Sequence, residues 1–143
     1  MLERSYDVER INGVANHPDV RPFIGAVSVG ALDFTDAVQF DKNWFLMGEH
    51  GGFGLTQTTP GVHEIHTFIL PEGRGAWARD AAQVLLDFAR ENGDNRVWTK
   101  VPSDQKNVEV YTRRAGLKPT GEEVELFGKP YKVFGLEFSQ CLS

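Results

Sequence analysis

The chain opens with a segment in which apolar residues return every three to four positions, and this spacing predicts an amphipathic helix. The apolar positions are Val8, Ile11, Val14 and Ala15. Either Ser5 or Asp7 is a suitable N-terminal cap. The helix ends at His17-Pro18, because the residue before a proline avoids the helical region. Pro22 predicts a short turn after it rather than a second long helix.

Three strands separated by turn residues are predicted next, at 44–49, 53–58 and 62–70. The connections at 50–52 and 59–61 are rich in glycine, and Pro71 closes the third strand. Because both connections are short, we expect the three strands to form an antiparallel meander.

The clearest helix of the chain is predicted over 73–92. Its apolar residues form one stripe, made of Trp77, Ala81, Val84, Leu85 and Phe88. Gly93 follows at the position of a C-terminal cap. A strand is predicted at 96–101, so that strand 62–70, this helix and strand 96–101 form a strand–helix–strand unit. Such a unit favours a parallel strand pair.

One more helix and two more strands complete the pattern. The helix is predicted over 104–115, with Ser103 as its cap and Gly116 as its end. The two strands follow at 117–127 and 131–138. The predicted fold class is therefore α/β (α+β). It has a mixed, mostly antiparallel sheet, a central parallel strand–helix–strand unit and flanking helices, in a single domain of residues 1–143.

Composition narrows the classes of function. The chain has 143 residues and a formal net charge of −5, which argues against nonspecific nucleic-acid binding. The single cysteine, Cys141, excludes an internal disulfide and a cysteine zinc site. No apolar stretch approaches the ~20 residues of a membrane span, and the N-terminus lacks the apolar core of a signal peptide. The expectation is a cytoplasmic protein with no membrane or nucleic-acid partner.

Four potential metal ligands lie near one another in the sequence, namely His50, His63, Glu64 and His66. On a strand, His63 and His66 point to opposite faces and do not share an ion. We therefore predict no metal site. The same alternation places Glu64, His66 and Phe68 together on one face of the strand.

The junction between strand 62–70 and the long helix is the candidate ligand site. The free amides and the dipole at a helix start attract anions. Arg74 and Arg79 add positive charge there, which an acidic chain needs for an anionic ligand. The alternative is that Gly73 and Gly75 only permit a tight turn.

The segment Pro71-Glu72-Gly73-Arg74-Gly75, followed later by Tyr111 and the pair Gly116-Leu117, resembles the GNAT superfamily of N-acetyltransferases. The resemblance covers about 44–138. More narrowly, 104–111 and the Arg-Gly-x-Trp-Ala opening of the helix look like GNAT proteins encoded by bacteriophages. In such a protein a place in the virion is an alternative to the cytoplasm.

The resemblance implies that acetyl-CoA is a cosubstrate, with its pantetheine arm along the main chain of the third strand and its pyrophosphate at the helix start. The residues it implies for coenzyme binding are Phe68, Ile69, Leu70, Arg74, Gly75, Ala76, Trp77, Ala78, Arg79 and Gln105. Glu64 matches a carboxylate base, His66 is a second candidate base, and Tyr111 matches the tyrosine that protonates the departing thiolate. The partners implied are acetyl-CoA and an amine of unknown identity, and an exposed edge strand would allow a homodimer.

Two functions stay open on the sequence. The first is an enzyme that transfers acetyl from acetyl-CoA to a primary amine, which Arg74, Glu64 and Tyr111 favour. The second is a non-catalytic GNAT-fold phage protein with a structural or host-interaction role. Trp77, Arg79 and Asp104 favour the second. Trp77 and Arg79 replace the small residues of the family turn, and Asp104 stands where the family has an asparagine and would repel an anionic cofactor. Each candidate catalytic residue also has a purely structural interpretation. Glu64 and His66 would then line a solvated strand face, and Tyr111 would be a half-buried aromatic of the core.

Overall fold

The computed structural model describes residues 1–24 and 30–138; Cys141 lies outside them. The strands are β1 Glu3–Arg4, β2 Trp44–Gly48, β3 Gly51–Thr59, β4 Val62–Ile69, β5 Arg96–Pro102, β6 Lys118–Leu126 and β7 Lys129–Glu137. The α-helices are α1 Val8–Ala15, α2 Thr35–Gln39, α3 Ala76–Glu91 and α4 Lys106–Arg114. Short 3-10 turns form at Arg21–Phe23 and Pro71–Gly73.

All seven strands belong to one sheet, in the order β1-β2-β3-β4-β5-β7-β6. β4 and β5 are parallel and every other neighbouring pair is antiparallel. The predicted fold class, including the meander and the central parallel unit, is confirmed. None of the helices in the described residues has the length and apolar character needed to cross a bilayer.

The two faces of the sheet carry separate apolar cores. One face packs against α3 and α4 through a cluster that includes Ile65, Leu85 and Val97. The other packs against α1 and α2 through a cluster that includes Ile11 and Phe68. Alternating residues of β4 enter both cores, so this strand is buried on both faces, as expected of a central strand.

Several predicted boundaries change. Asp7, not Ser5, caps α1, because its side chain accepts a hydrogen bond from the Arg10 amide at 3.1 Å. Helix α3 begins at Ala76 rather than at residue 73, since Pro71–Gly73 forms a 3-10 turn first. The prediction that Ser103 caps α4 is wrong. Its Oγ is buried without a hydrogen-bond partner among the described residues, and Gln105 occupies the cap position.

Candidate functional site

A cavity of about 750 Å³ passes through the sheet between β4 and β5. On one side it is lined by the start of α3 and by α4, and on the other by residues near the turn Arg21–Phe23. Its position follows from the pairing of the two parallel strands. They are hydrogen-bonded in register only from Val62–Glu64 to Arg96–Trp98, and beyond these positions they separate.

The main chain of β4 alternates between its two neighbours, so only every second residue faces the gap. Thr99 Oγ1 donates to the Ile65 carbonyl at 2.9 Å, which places Ile65 on the β5 side. Thr67 and Ile69 follow on that side by alternation. The Leu70 amide instead donates to the His50 carbonyl at 3.0 Å. The Phe68 carbonyl also faces β3, because a Cβ built on Gly51 would lie 2.0 Å from it.

Of the main-chain groups predicted to hold a coenzyme arm at Phe68, Ile69 and Leu70, the geometry therefore leaves only those of Ile69 facing the gap. Thr67 joins it as a residue that the sequence did not single out. The direction in which each main-chain group points depends on which residues of neighbouring strands are hydrogen-bonded to each other. The sequence alone does not determine this pairing.

The start of α3 leaves amide groups without partners. Its first helical hydrogen bond runs from the Arg79 amide to the Gly75 carbonyl at 3.1 Å. No side chain among the described residues caps it, and Gly75 adopts φ 112 and ψ −129, a conformation available mainly to glycine. The amides of Ala76, Trp77 and Ala78 consequently precede the first hydrogen-bonded turn and carry the positive end of the helix dipole.

The two arginines beside this turn have different surroundings. Arg74 donates from Nη2 to the Asp19 carbonyl and, at 3.4 Å, to the Ile69 carbonyl. Its guanidinium also lies 5.4 Å from the centre of the Phe23 ring. Arg79 is exposed, lines the same cavity and makes no side-chain hydrogen bond or ion pair to any described residue. Of these two arginines, Arg79 is therefore the more available to a ligand, whereas Arg74 connects the turn to the N-terminal segment.

Trp77 does not block the helix start, although it replaces a small residue of the family pattern. Its indole lies edge-on to His50, with 5.2 Å between ring centres, and does not line the cavity. Two glycines make room for it. A Cβ would lie 2.9 Å from the indole at Gly48 and 3.0 Å from it at Gly73. The side chain therefore packs behind the helix start and leaves its own amide available.

Across the gap, polar side chains of β3, β4 and β5 lie close together, and those of β4 and β5 line the cavity. Glu64 and His66 lie on one face of β4, as predicted, with Glu64 Oε1 3.8 Å from His66 Nε2. Lys100 of β5 pairs with the other carboxylate oxygen at 3.1 Å. Thr56 Oγ1 lies 3.0 Å from His66 Nε2. We define these four residues as the polar cluster.

The sequence analysis missed Lys100, although a charged residue inside a mainly apolar strand was a usable signal. Its location opposite Glu64 became evident only with the β4–β5 register. Burial lowers the pKa of His66, Lys100 lowers it further and Glu64 opposes the shift. At neutral pH His66 is therefore an uncharged imidazole able to accept a proton.

Two further predicted residues lie on the α3 and α4 side of the cavity. Tyr111 donates a hydrogen bond from its hydroxyl to the Ala78 carbonyl at 2.8 Å, and burial raises its pKa. Gln105 lines the cavity at the start of α4. Asp104, whose charge would oppose an anionic ligand, pairs with Lys129 at 3.4 Å and does not line the cavity.

His63 has a different environment on the opposite face of β4. Its Nδ1 lies 2.8 Å from both carboxylate oxygens of Asp94, and its Nε2 lies 2.6 Å from the Lys42 carbonyl. The Trp44 ring stacks on it at 3.9 Å. Within residues 1–24 and 30–138, no group of three His, Cys, Asp or Glu side chains is arranged to hold a metal ion.

No family model and no curated protein matches this sequence. Solved structures do match. One is yncA of Salmonella typhimurium, assigned as an acetyltransferase and solved with its cofactor acetyl-CoA. It has a TM-score of 0.75 and 14% identity over 100% of this chain and 96% of that one. Another is an acetyltransferase of the GNAT family from Bacillus anthracis. Its TM-score is 0.68 at 13% identity, over 95% of this chain and 93% of that one.

A third match is the spermidine N-acetyltransferase of Vibrio cholerae, solved with CoA and spermine. Its TM-score is 0.72 at 13% identity, over 96% of this chain and 94% of that one. These matches extend over nearly the whole length of both partners, so the likeness is one of the whole fold. The chain has the fold of the GNAT acetyltransferases.

Proposed function

We propose that residues 1–143 form one acyltransferase domain that transfers acetyl from acetyl-CoA to a primary amine. The observation that carries the proposal is the gap between β4 and β5. It joins the uncapped start of α3, on one side of the sheet, to Glu64 and His66 on the other. The fold shared with acetyl-CoA-bound and CoA-bound acetyltransferases supports the same function.

The residues at the start of α3 suit the phosphates of a coenzyme. The amides of Ala76, Trp77 and Ala78 would donate to phosphate oxygens, and Arg79 would supply the countercharge. Ile69 and Thr67 would hydrogen-bond the amides of the pantetheine arm along the gap. Gln105 would lie beside the same arm. Arg74 acts indirectly, by fixing the turn through Asp19 and Ile69.

On the acceptor side, Glu64 and His66 would take the proton that the amine must lose. The carboxylate beside Nε2 favours the tautomer in which Nε2–H donates to Thr56, which leaves Nδ1 to accept a proton. Glu64 would hold the incoming ammonium group by charge.

Acetyl-CoA supplies an activated thioester, whose carbonyl carbon forms a bond to the amine nitrogen as the carbon–sulfur bond breaks. Tyr111 stays protonated at neutral pH, since burial raises its pKa. It would give its proton to the departing sulfur on releasing the Ala78 carbonyl. No specific observation favours the non-catalytic alternative. Trp77 leaves the helix start open, and the neighbouring structures give the phage resemblance no support.

The proposal is tested by calorimetric titration of the protein with acetyl-CoA, together with release of free CoA in the presence of amines. We expect micromolar affinity, about −8 kcal/mol. Arg79→Met should weaken binding by about 1.5–3 kcal/mol, the range for a hydrogen bond to a charged group. The matched control is Arg90→Met at the exposed far end of α3, which should bind normally. Absence of binding at millimolar acetyl-CoA would contradict the proposed function.

A further inference from the structure

The charges around the cavity have the opposite sign to the whole chain. The chain carries a formal charge of −5. The charged side chains that line the cavity in the described residues are Glu64, Arg74, Arg79, Lys100 and Arg114. One carboxylate therefore faces four cations, and the cavity favours ligands that carry negative charge.

The cations are divided between the two sides of the sheet. Arg79 and Arg114 lie near the start of α3 and on α4, where the proposed function places the coenzyme phosphates. Arg74 lies at the turn before α3, and its guanidinium is held against Asp19 and Phe23. Lys100 lies on β5 beside Glu64, on the side proposed for the acceptor. Its positive charge lies away from the proposed phosphate site, so that beyond its pair with Glu64 it is placed to meet the acceptor.

Glu64 and Lys100 together present one negative and one positive end to the cavity. The carboxylate uses Oε2 to pair with Lys100 at 3.1 Å and directs Oε1 toward His66. Lys100 has three ammonium protons. Its contacts among the described residues are the ion pair with Glu64 and the Trp98 ring, whose centre lies 5.5 Å from Nζ, so donor capacity remains for a ligand. A zwitterion fits this pair with its ammonium group toward Glu64 and its anionic group on Lys100.

A polycation fits poorly. The only cavity-lining carboxylate among the described residues is already neutralised by Lys100. Every additional ammonium group of a polyamine would meet cationic side chains, and like charges at short range are unfavourable. The remaining wall on this side is apolar, with Val20, Ile24, Leu32 and Phe34.

We propose that the acceptor is an α-amino acid with an apolar side chain, its amine beside Glu64 and His66 and its carboxylate on Lys100. The inference rests on the proposed acetyl transfer and names the substrate class of the same site. Lys100 determines specificity by binding the carboxylate of the acceptor.

The experiment uses two matched pairs of amines with acetyl-CoA. They are L-leucine against 3-methylbutylamine and L-phenylalanine against phenethylamine, with spermidine as the polycation. We expect kcat/KM to be about 10- to 100-fold higher for each amino acid than for its decarboxylated partner, the range supplied by a hydrogen bond between charged groups. Spermidine should be the poorest substrate. Lys100→Met should remove the preference, Lys100→Arg should restore part of it, and the exposed Lys118→Met should leave it unchanged.

A binding measurement separates this inference from the proposed function. Calorimetry of the CoA-saturated protein compares N-acetyl-L-leucine with N-(3-methylbutyl)acetamide. If all amines are acetylated without preference, acetyl transfer stands and the inference is overturned. If the carboxylate compound binds through Lys100 but no amine is acetylated, the charge recognition stands and acetyl transfer is overturned. If no amine is acetylated and the carboxylate compound does not bind through Lys100, both the proposed acetyl transfer and the inferred acceptor class are overturned.

Discussion

His63 and His66 lie three residues apart on β4, and they differ in how completely their partners surround them. His63 is 1% exposed, and both of its ring nitrogens face acceptors, on Asp94 and on the Lys42 main chain. His66 faces the cavity, with Thr56 on one nitrogen and no partner for the other among the described residues. A histidine with a full set of partners stabilises the fold. A histidine with one nitrogen free is available for chemistry.

The largest effect on the difference between the two histidines is expected from Asp94→Ala, which removes the side-chain partner of His63. The Nδ1 of His63 then loses its acceptor inside the core, whereas Nε2 keeps the Lys42 carbonyl. Removing one partner of a buried ion pair costs about 3–5 kcal/mol of unfolding free energy. Urea denaturation at pH 7 measures this loss.

The control is Asp87→Ala, which removes the exposed ion pair to Arg90 and should cost under about 1 kcal/mol. If the two variants lose similar stability, the buried pair has no special role.

His66→Gln should produce the reverse result, a loss of rate with little loss of stability. Glutamine retains a donor for Thr56 but does not accept a proton at neutral pH. We expect kcat to fall about 100-fold, at the lower end for a general base. The unfolding free energy should change by less than about 1 kcal/mol, because the side chain is partly exposed to the cavity and glutamine keeps the contact with Thr56. Steady-state kinetics and urea denaturation on the same preparation separate the two effects. An unchanged kcat would exclude His66 as the base.

A smaller effect is expected from pH. The pKa of His66 is lower in the folded protein than its ordinary value of 6.5, mainly through burial. Below pH 6.5 the unfolded chain therefore binds a proton that the folded chain does not, and folding is weakened as pH falls toward the folded-state pKa. Above pH 6.5 this contribution is constant.

Thermal unfolding between pH 7.5 and 5 should show wild type losing more stability than His66→Gln. Equal slopes for the two proteins would show that His66 titrates normally in the folded state.

The sequence predicted elements well where local patterns decide them. The meander follows from short glycine-rich connections, and α3 follows from one apolar stripe that ends at Gly93. Strand β1 and helix α2 were missed. β1 has only two residues, and its strand conformation depends on pairing with Met47 and Leu46. Such short elements are stabilised by tertiary contacts rather than by their own sequence.

The candidate site was predicted less completely, because its residues meet through long-range register. Glu64 and His66 were found by alternation within one strand. Lys100 required the parallel pairing of β4 with β5. Arg74 was predicted as a ligand-binding residue from its position. Its contacts with Asp19 and Phe23, which lie some 50 residues away, could not be predicted in the same way. Sequence patterns identify residue types and faces, whereas the pairing of distant segments needs the fold.

The separation of β4 from β5 also gives this protein a sheet edge in its interior. The main-chain groups at Thr67 and Ile69 face the cavity, which is lined by α3 as well as by the two strands. Exposed edges of this kind promote aggregation, because any extended backbone can add to them. Here the edge is two residues long and recessed between helices. An edge this short offers a second protein strand too few main-chain groups for stable addition.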